Sequence, residues 1–101
     1  MARFESGQLV RHRKFGYRGV VVSVDETFQG TDMWYEQVAR SRPPKDQPWY
    51  HVLVHDSKNE TYVADRHLEL DPTGQPVEHP LVEVFFDELK EGRYVRDRVL
   101  N

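Results

Sequence analysis

The sequence predicts a mainly β fold, a small antiparallel barrel that carries an inserted short helix and a C-terminal extension. Two observations favour this class: strand signals follow one another along the chain, and no long helical pattern separates them. The 101 residues fit a single domain over residues 1–101. Aromatic residues make up 12% of the chain, so we expect a core built on a few large side chains. We place the barrel at about residues 4–70, the helical insertion at about 27–46 and the extension at about 76–101.

Four segments have the alternation of β-strands. Residues 8–12 alternate over a short run, and residues 20–25 and 48–56 alternate strongly. Residues 56–60 are polar enough for a hairpin turn, which leads into a β-rich strand over residues 61–64. Segments of this kind, joined without helices, predict antiparallel pairing.

The alternation also predicts which side chains face the core. Val20, Val22 and Val24 share one face of the second strand, because successive side chains of a strand point to opposite sides. We therefore expect Val22 and Val52 to face the core and Val21 to face away from it. On this register an aspartate at Val22 or Val52 unfolds the domain, whereas an aspartate at Val21 is milder.

The segment over residues 26–47 is much longer than a hairpin loop of about 2–5 residues, so we expect it to have structure of its own. Thr31 is a suitable helix-start residue, and Pro43 must end any helix that precedes it. The pattern predicts a short helix over residues 31–40. The side chains expected to lay this helix over the barrel are Met33, Trp34 and Val38.

The tail allows two interpretations. Leu81 and Val84 fit helical spacing and Pro80 suits the first turn of a helix, which favours a helix over residues 81–90. Residues 81–86 are also compatible with a strand. The last residues of the chain carry no pattern that decides their structure.

Composition excludes several classes of protein. The chain has no cysteine, which excludes disulfides, thiolate zinc sites and cysteine nucleophiles. No apolar run is long enough for a transmembrane helix, and the first residues lack the hydrophobic stretch of a secretory signal. We therefore expect a soluble cytoplasmic protein without a membrane partner.

The net charge of −3 conceals an asymmetry between the first 20 residues and the rest of the chain. Residues 1–20 have a balance of +4, and the remaining residues have a balance of −7. A duplex-binding domain usually carries a basic excess on one face, so the total charge argues mildly against nucleic acid. The candidate DNA contacts are the basic residues of the first two strands and their turn: Arg11, Arg13, Lys14 and Arg18. The alternative is a strand edge that is protected by charge.

The sequence shows no catalytic or metal-binding pattern. His51 and His55 lie about 13 Å apart along one strand at ~3.3 Å per residue, which is too far for them to share an ion. The serines have no nucleophile-elbow pattern, and the glycines form no phosphate-binding loop. We therefore expect neither an enzyme nor a cofactor nor a metal site.

One strand face is a candidate surface for protein contact. His51, Leu53 and His55 share it, and an apolar residue between two histidines is unusual for a solvated face. Trp49, at the start of the same strand, is a further candidate, although the inserted helix could equally cover it. Tyr50 lies on the opposite face, where we expect it in the core.

Several segments together resemble the HspQ or YccV-like family, also known as the hemimethylated-DNA-binding family. The most specific is the block Gln-Pro-Trp-Tyr-His-Val over residues 47–52. The other matching segments keep the order that the family has: Phe4, residues 7–12, residues 15–22, Asp25, residues 46–54, residues 62–64 with Leu68, and residues 79–80. The resemblance covers about residues 4–86. The tail from Phe85 to Val95, which contains several aromatic residues, departs from it.

The resemblance implies an SH3-like barrel and a small, non-enzymatic cytoplasmic protein. Members are linked to two activities. One is a heat-shock and stress-response role as an adaptor that promotes protein degradation by an ATP-dependent protease, with denatured or regulatory proteins as substrates. The other is DNA binding to hemimethylated duplex at replication origins. We expect the adaptor role, with hemimethylated duplex DNA as the alternative partner, and a homo-oligomer, with a trimer as the first expectation.

Overall fold

The computed structural model describes residues 2–96, and these residues form a mainly β structure with few helices. Most of its strands belong to one antiparallel sheet, and the rest form a separate hairpin. The elements in chain order are β1 (Leu9–His12), β2 (Arg18–Asp25), α1 (Asp32–Val38), β3 (Trp49–Val54), β4 (Glu60–Ala64), a 3₁₀ turn (Asp65–His67), β5 (Leu68–Leu70), α2 (Val82–Phe85), β6 (Glu88–Lys90) and β7 (Arg93–Val95).

The main sheet has five strands in the order β4-β3-β2-β1-β5. Its strands pair antiparallel, as the sequence predicts. Within residues 2–96, β4 and β5 are the two edges of the sheet, and no hydrogen-bonded pairing closes it into a barrel. The antiparallel mainly β class is confirmed, and the SH3-like barrel stays a prediction.

A β-bulge interrupts β2, and the valines of this strand face both sides of the sheet. Val21 pairs with Val52 and Ser23 pairs with His51, so the register shifts at Val22. Val21 is fully buried and Val22 is only half-buried. The expected core position of Val22 and the expected outward position of Val21 are therefore both wrong, because Val21 packs on the same side of the sheet as Val52, whereas Val22 packs on the side of Val20 and Leu53.

Both faces of the main sheet are covered by apolar residues. One face forms the central core: Phe4, Val10, Val21, Tyr50, Val52, Val63 and Leu68. The opposite face forms what we call the C-terminal cluster: Leu9, Val20, Leu53, Val77, Phe86 and Tyr94. Tyr50 is thus in the core, as expected, and its hydroxyl donates to Asp65 Oδ1 at 2.7 Å. Burial, together with this bond, raises the pKa of Tyr50 to about 12.

The C-terminal extension folds as a short helix and a hairpin. The helix expected over residues 81–90 is wrong for most of its length, since α2 ends at Phe85 and β6 begins three residues later. Phe86 has an extended backbone that buries its ring against Tyr94 at 5.5 Å, and Gly92, with φ 78°, lies in the turn between β6 and β7. Tertiary burial of one ring thus overrides the helical spacing. Residues 97–101 of the expected extension lie outside the described residues.

Gly7 joins the hairpin to the main sheet. Tyr94 donates its backbone N–H to the Gly7 carbonyl at 2.8 Å, and Gly7 donates to the Val21 carbonyl at 2.7 Å. A Cβ on Gly7 would lie 2.1 Å from the Tyr94 carbonyl oxygen, and its φ of 96° suits glycine. Only glycine therefore allows this close approach.

The inserted helix begins and ends close to the predicted bounds. The Thr31 Oγ1 accepts from the Trp34 backbone N–H at 3.1 Å, which makes Thr31 the N-cap of α1. Trp34 and the buried Tyr35 pack the helix against Trp49. Met33 and Val38, in contrast, are 70% and 56% exposed, so their expected packing role is wrong.

No helix among residues 2–96 has the length and apolar character needed to cross a membrane.

Candidate functional site

A groove of about 370 Å³ lies between the insertion and the turn that follows β1. We call it the insertion groove. The residues that line it include His12, Lys14, Phe15, Trp34, Val38, Arg40, Ser41, Trp49, Tyr62, Ala64 and His67. Trp49 and Ala64 are almost fully buried, so they form its interior. A volume of this size is at the lower end of the ~300–1,000 Å³ typical of ligand pockets.

A stack of three rings forms one wall of the insertion groove. The rings of His12 and Phe15 lie 4.6 Å apart, and those of His12 and His67 lie 5.6 Å apart and almost parallel. Phe15 is nevertheless 70% exposed, because it stands in the turn after β1, where His12 is the one aromatic ring among residues 2–96 that packs against it. A large apolar ring is therefore offered to solvent beside an apolar interior.

The two histidines of this wall are held in their neutral form. The His12 Nδ1 accepts from the backbone N–H groups of Lys14 at 3.2 Å and Phe15 at 3.1 Å, which places the ring proton on Nε2. Burial, and then the charges of His67 and Lys14, lower the pKa of His12. Burial, and then the charges of Arg66 and Lys14, lower the pKa of His67. Both rings are uncharged at neutral pH.

The insertion is tied to the 3₁₀ turn at the other end of the groove. Ser41 Oγ lies 2.9 Å from His67 Nε2, and Arg66 donates to the Ser41 carbonyl at 2.7 Å. In the part of the chain that the structure describes, no carboxylate bonds the His67 ring, so this Ser–His contact lacks the acid of a catalytic triad. The contact holds the groove in shape.

Tyr62 and Trp49 form the groove's connection to the sheet. Their rings lie 5.2 Å apart and stack, and the Trp49 Nε1 donates to the Pro44 carbonyl at 3.1 Å. The Tyr62 hydroxyl donates to Asp25 Oδ2 at 2.6 Å. Burial and this bond raise the pKa of Tyr62 to about 12, so its hydroxyl stays protonated at physiological pH.

The four basic residues predicted to contact DNA lie around β1 and β2, and three of them form side-chain bonds within the protein. Arg11 forms an ion pair with Glu69 at 2.9 Å, and Arg13 donates to the Leu68 carbonyl at 3.2 Å. Lys14 alone among these four has no hydrogen bond or ion pair from its side chain to the described residues. The structure therefore does not present the four as one set of free cations.

Arg18 has an internal role at the corner of the sheet. Its guanidinium pairs with Asp71 at 2.8 Å and also bonds the Gln75 and Pro76 carbonyls. The Asp71 side chain is 1% exposed. Although burial opposes it, hydrogen bonds from Thr73 and Arg18 hold the pKa of Asp71 below its ordinary value. Arg18 thus neutralises a buried carboxylate.

The residues predicted for protein contact do not form one surface. Leu53 is fully buried in the C-terminal cluster, and Trp49 is 1% exposed. His55 accepts from the Glu78 backbone N–H at 2.9 Å, and His51 lies between Asp25 and Glu60 at 3.4 and 3.2 Å. The apolar residue between two histidines is explained by the chain's own extension, which covers it.

The groove residues that sequence reasoning missed come from distant parts of the chain. Ser41 and Arg40 follow α1, whereas His12 ends β1. Phe15, a large aromatic residue in a turn, is a candidate for groove contact from the sequence alone. The pairing of the two segments depends on tertiary structure.

The fold and site define a small antiparallel β protein with an apolar groove beside a helical insertion. The family model described as "Hemimethylated DNA-binding protein YccV like" matches residues 2–93. The chain belongs to this YccV-like family, which the sequence segments had indicated.

Proposed function

We propose that this protein is a non-enzymatic adaptor of the HspQ type that binds denatured or regulatory polypeptides and promotes their degradation by a cytoplasmic ATP-dependent protease under heat stress. The observation that carries this proposal is the insertion groove, in which the 70% exposed ring of Phe15 stands beside an apolar interior. An unfolded polypeptide exposes large apolar side chains that a native protein mostly buries. Such side chains can pack in an apolar groove.

The fold is suited to this role because the groove is built on a rigid frame. Its stacked rings, the Ser41–His67 contact and the Trp49–Pro44 bond join it to the sheet. Because the groove is preformed, the conformational entropy lost on binding is mainly that of the flexible polypeptide. We further propose that the architecture carrying this groove is the SH3-like barrel that the family resemblance implies.

The adaptor role is tested by capture and degradation. The purified chain is expected to retain heat-denatured luciferase, and not native luciferase, after treatment with nuclease. It is also expected to increase the rate at which an ATP-dependent protease from the same cell degrades the denatured protein. Equal retention of native and denatured luciferase, or no change in degradation with any such protease, would contradict the proposal.

Binding to hemimethylated duplex DNA is the second candidate, and the description of the family favours it. The internal bonds of Arg11, Arg13 and Arg18 argue against it, since these donors would have to leave protein partners to reach phosphates. We expect duplex affinity at 150 mM salt to be weaker than about 10⁻⁶ M and independent of methylation. A submicromolar preference for hemimethylated over fully methylated duplex, lost on reversing Arg11 and Arg13, would make DNA the primary partner.

We also propose a homo-oligomer, with a trimer as the first expectation from the family. Leu53 cannot supply the interface, because the C-terminal extension covers it. Met33, Leu70 and Val84, 70%, 58% and 57% exposed, are among the apolar side chains available for one. Sedimentation velocity over a range of concentrations at pH 7.5 tests this, and a monomer at every concentration would refute it.

A further inference from the structure

The charges that line the insertion groove are all positive. They come from Lys14 and Arg40, and none of the described residues that line the groove is Asp or Glu. The chain as a whole has 17 acidic and 14 basic side chains, so its composition does not account for this. An apolar groove that is lined by positive charge favours an occupant that is apolar and negatively charged.

The side chains of Lys14 and Arg40 also form no hydrogen bond or ion pair with residues 2–96, and Lys14 Nζ lies 5.6 Å from the centre of the Phe15 ring. Most Lys and Arg side chains of residues 2–96 bond a carboxylate or a backbone carbonyl, as Arg42 does with Glu36. Among the Lys and Arg side chains of residues 2–96, only those of Lys14, Arg40 and Lys58 bond neither a carboxylate nor a backbone carbonyl. Two of three unpaired cations thus line one groove, where they can pair with an incoming carboxylate.

These two cations belong to different segments that border the groove. Lys14 precedes Phe15 in the turn after β1, and Arg40 follows the end of α1. Between these segments lie the exposed ring of Phe15 and the half-buried ring of Trp34. An aromatic side chain can therefore stack in the groove while acidic residues on either side of it meet Lys14 and Arg40.

A nucleotide offers related chemistry, with a base for the rings and phosphates for the cations. A duplex-binding protein, however, neutralises several phosphates along a continuous surface. Here Arg11 and Arg18 are already paired with Glu69 and Asp71. Two cations around an apolar groove fit a short polypeptide segment better than a nucleic acid backbone.

We propose that the insertion groove binds polypeptide segments in which an aromatic side chain is flanked by acidic ones. This rests on the proposed adaptor function and names the class of substrate segment that the groove selects. Phe15 and Trp34 contact the aromatic side chain, and Lys14 and Arg40 pair with the flanking carboxylates.

Fluorescence anisotropy with labelled peptides tests the selectivity. The probe is an unstructured Gly/Ser peptide with one central phenylalanine between two aspartates. One comparison peptide replaces both aspartates with lysines, and the other replaces the phenylalanine with serine. The full chain is expected to bind the probe at least about tenfold more tightly than either comparison peptide. Equal affinity for all three peptides would overturn the proposal.

A charge swap tests the location. The Lys14→Glu/Arg40→Glu variant is expected to lose about tenfold in affinity for the aspartate probe and to gain affinity for the lysine peptide. Lys58→Glu, which reverses the third unpaired cation outside the groove, is the matched control and is expected to change the affinity by less than about twofold. Circular dichroism confirms that each variant is folded. An equal effect of Lys58→Glu, or no gain for the lysine peptide, would place the binding elsewhere.

The same variants separate this inference from the adaptor function. If the unaltered chain captures denatured luciferase and the charge-reversed groove captures it equally well, the groove inference is overturned and the adaptor function stands. If the probe binds with the expected charge swap while denatured luciferase is not captured, the groove inference stands and the adaptor function fails. Displacement of the probe by a single-stranded oligonucleotide of matched charge at lower concentration than by unlabelled probe would overturn the peptide assignment.

Discussion

On one face of the sheet the chain covers its own apolar residues, whereas beside the insertion it leaves an aromatic ring accessible. Leu53 is fully buried by Phe86 and Tyr94 of the extension, and Phe15 is 70% exposed at the groove. The sequence marks Leu53 as unusual, because it lies between two histidines on a strand face. The difference shows that an apolar side chain at a polar-looking position indicates a binding surface only if nothing in the chain covers it.

The basic residues show the same contrast. Arg18 neutralises a buried carboxylate, while Lys14, four residues earlier, has no acidic partner in residues 2–96. Residues that are close in sequence thus divide between a structural role and an available one. Internal partners, not local charge density, decide which cations can meet a ligand.

The largest loss of stability is expected from a charge placed in the central core. Val21→Asp places a carboxylate next to Tyr50 and Val52 in the central core, and we expect it to cost more than about 4 kcal/mol and to unfold the domain. Val22→Asp is expected to be clearly milder, because this side chain is half-buried on the opposite side of the sheet. Urea denaturation followed by circular dichroism measures both. Greater sensitivity of Val22 would contradict this placement of the two valines.

Truncating a covered and an exposed apolar side chain to alanine compares their contributions to stability. Leu53→Ala is expected to lower the free energy of unfolding by about 3 kcal/mol, because it opens a cavity under the extension. Phe15→Ala is expected to change it by less than about 0.5 kcal/mol, since the ring is exposed. Paired urea titrations give both values. Similar losses for the two variants would show that Phe15 is part of the core.

Removing the corner arginine tests its structural role. Arg18→Met leaves the Asp71 carboxylate buried without its ion pair, and we expect a loss of about 3 kcal/mol. Arg11→Met removes the more exposed ion pair with Glu69 and is expected to cost less than about 1 kcal/mol. Thermal and urea unfolding of the two variants check the order. An equally mild Arg18→Met would return this residue to the candidates for ligand contact.

A smaller effect is expected from pH. His12 and His67 have pKa values below their ordinary value of 6.5 in the folded protein, so the unfolded chain binds more protons as the pH falls below about 6.5. Their contribution to stability is present at neutral pH and is lost on acidification. His67→Gln removes one of these groups and keeps a side chain that can bond Ser41.

The measurement is the free energy of unfolding at pH 7 and pH 5 for both proteins. The unaltered chain is expected to lose more stability over this interval than His67→Gln. A larger loss in the variant would show that His67 is stabilised in its charged form, contrary to the direction of its pKa shift.

Much of the fold was predictable because its signals are local. The alternation of apolar and polar residues predicted the four longest strands, and Thr31 and Pro43 marked the region of α1. Position-specific packing was harder. The bulge at Val22 arises from pairing between β2 and β3, which no property of β2 alone reveals.

The tail and the paired arginines differ from what local patterns suggest for a shared reason. Phe86 adopts an extended backbone because it is buried with Val20 and Leu53, which lie far away in sequence. The partners of Arg11 and Arg18 are likewise 58 and 53 residues distant. Local patterns predict elements well, whereas availability for a ligand depends on contacts across the chain.

The central claim is that a polypeptide partner binds at the insertion groove and not at the covered face of the sheet. Amide hydrogen exchange measured with and without heat-denatured luciferase tests this most directly. We expect added protection over residues 12–17 and 34–41, with residues 77–95 unchanged. Protection confined to residues 77–95, or to residues 8–13 and 68–71 around the paired arginines, would contradict the account.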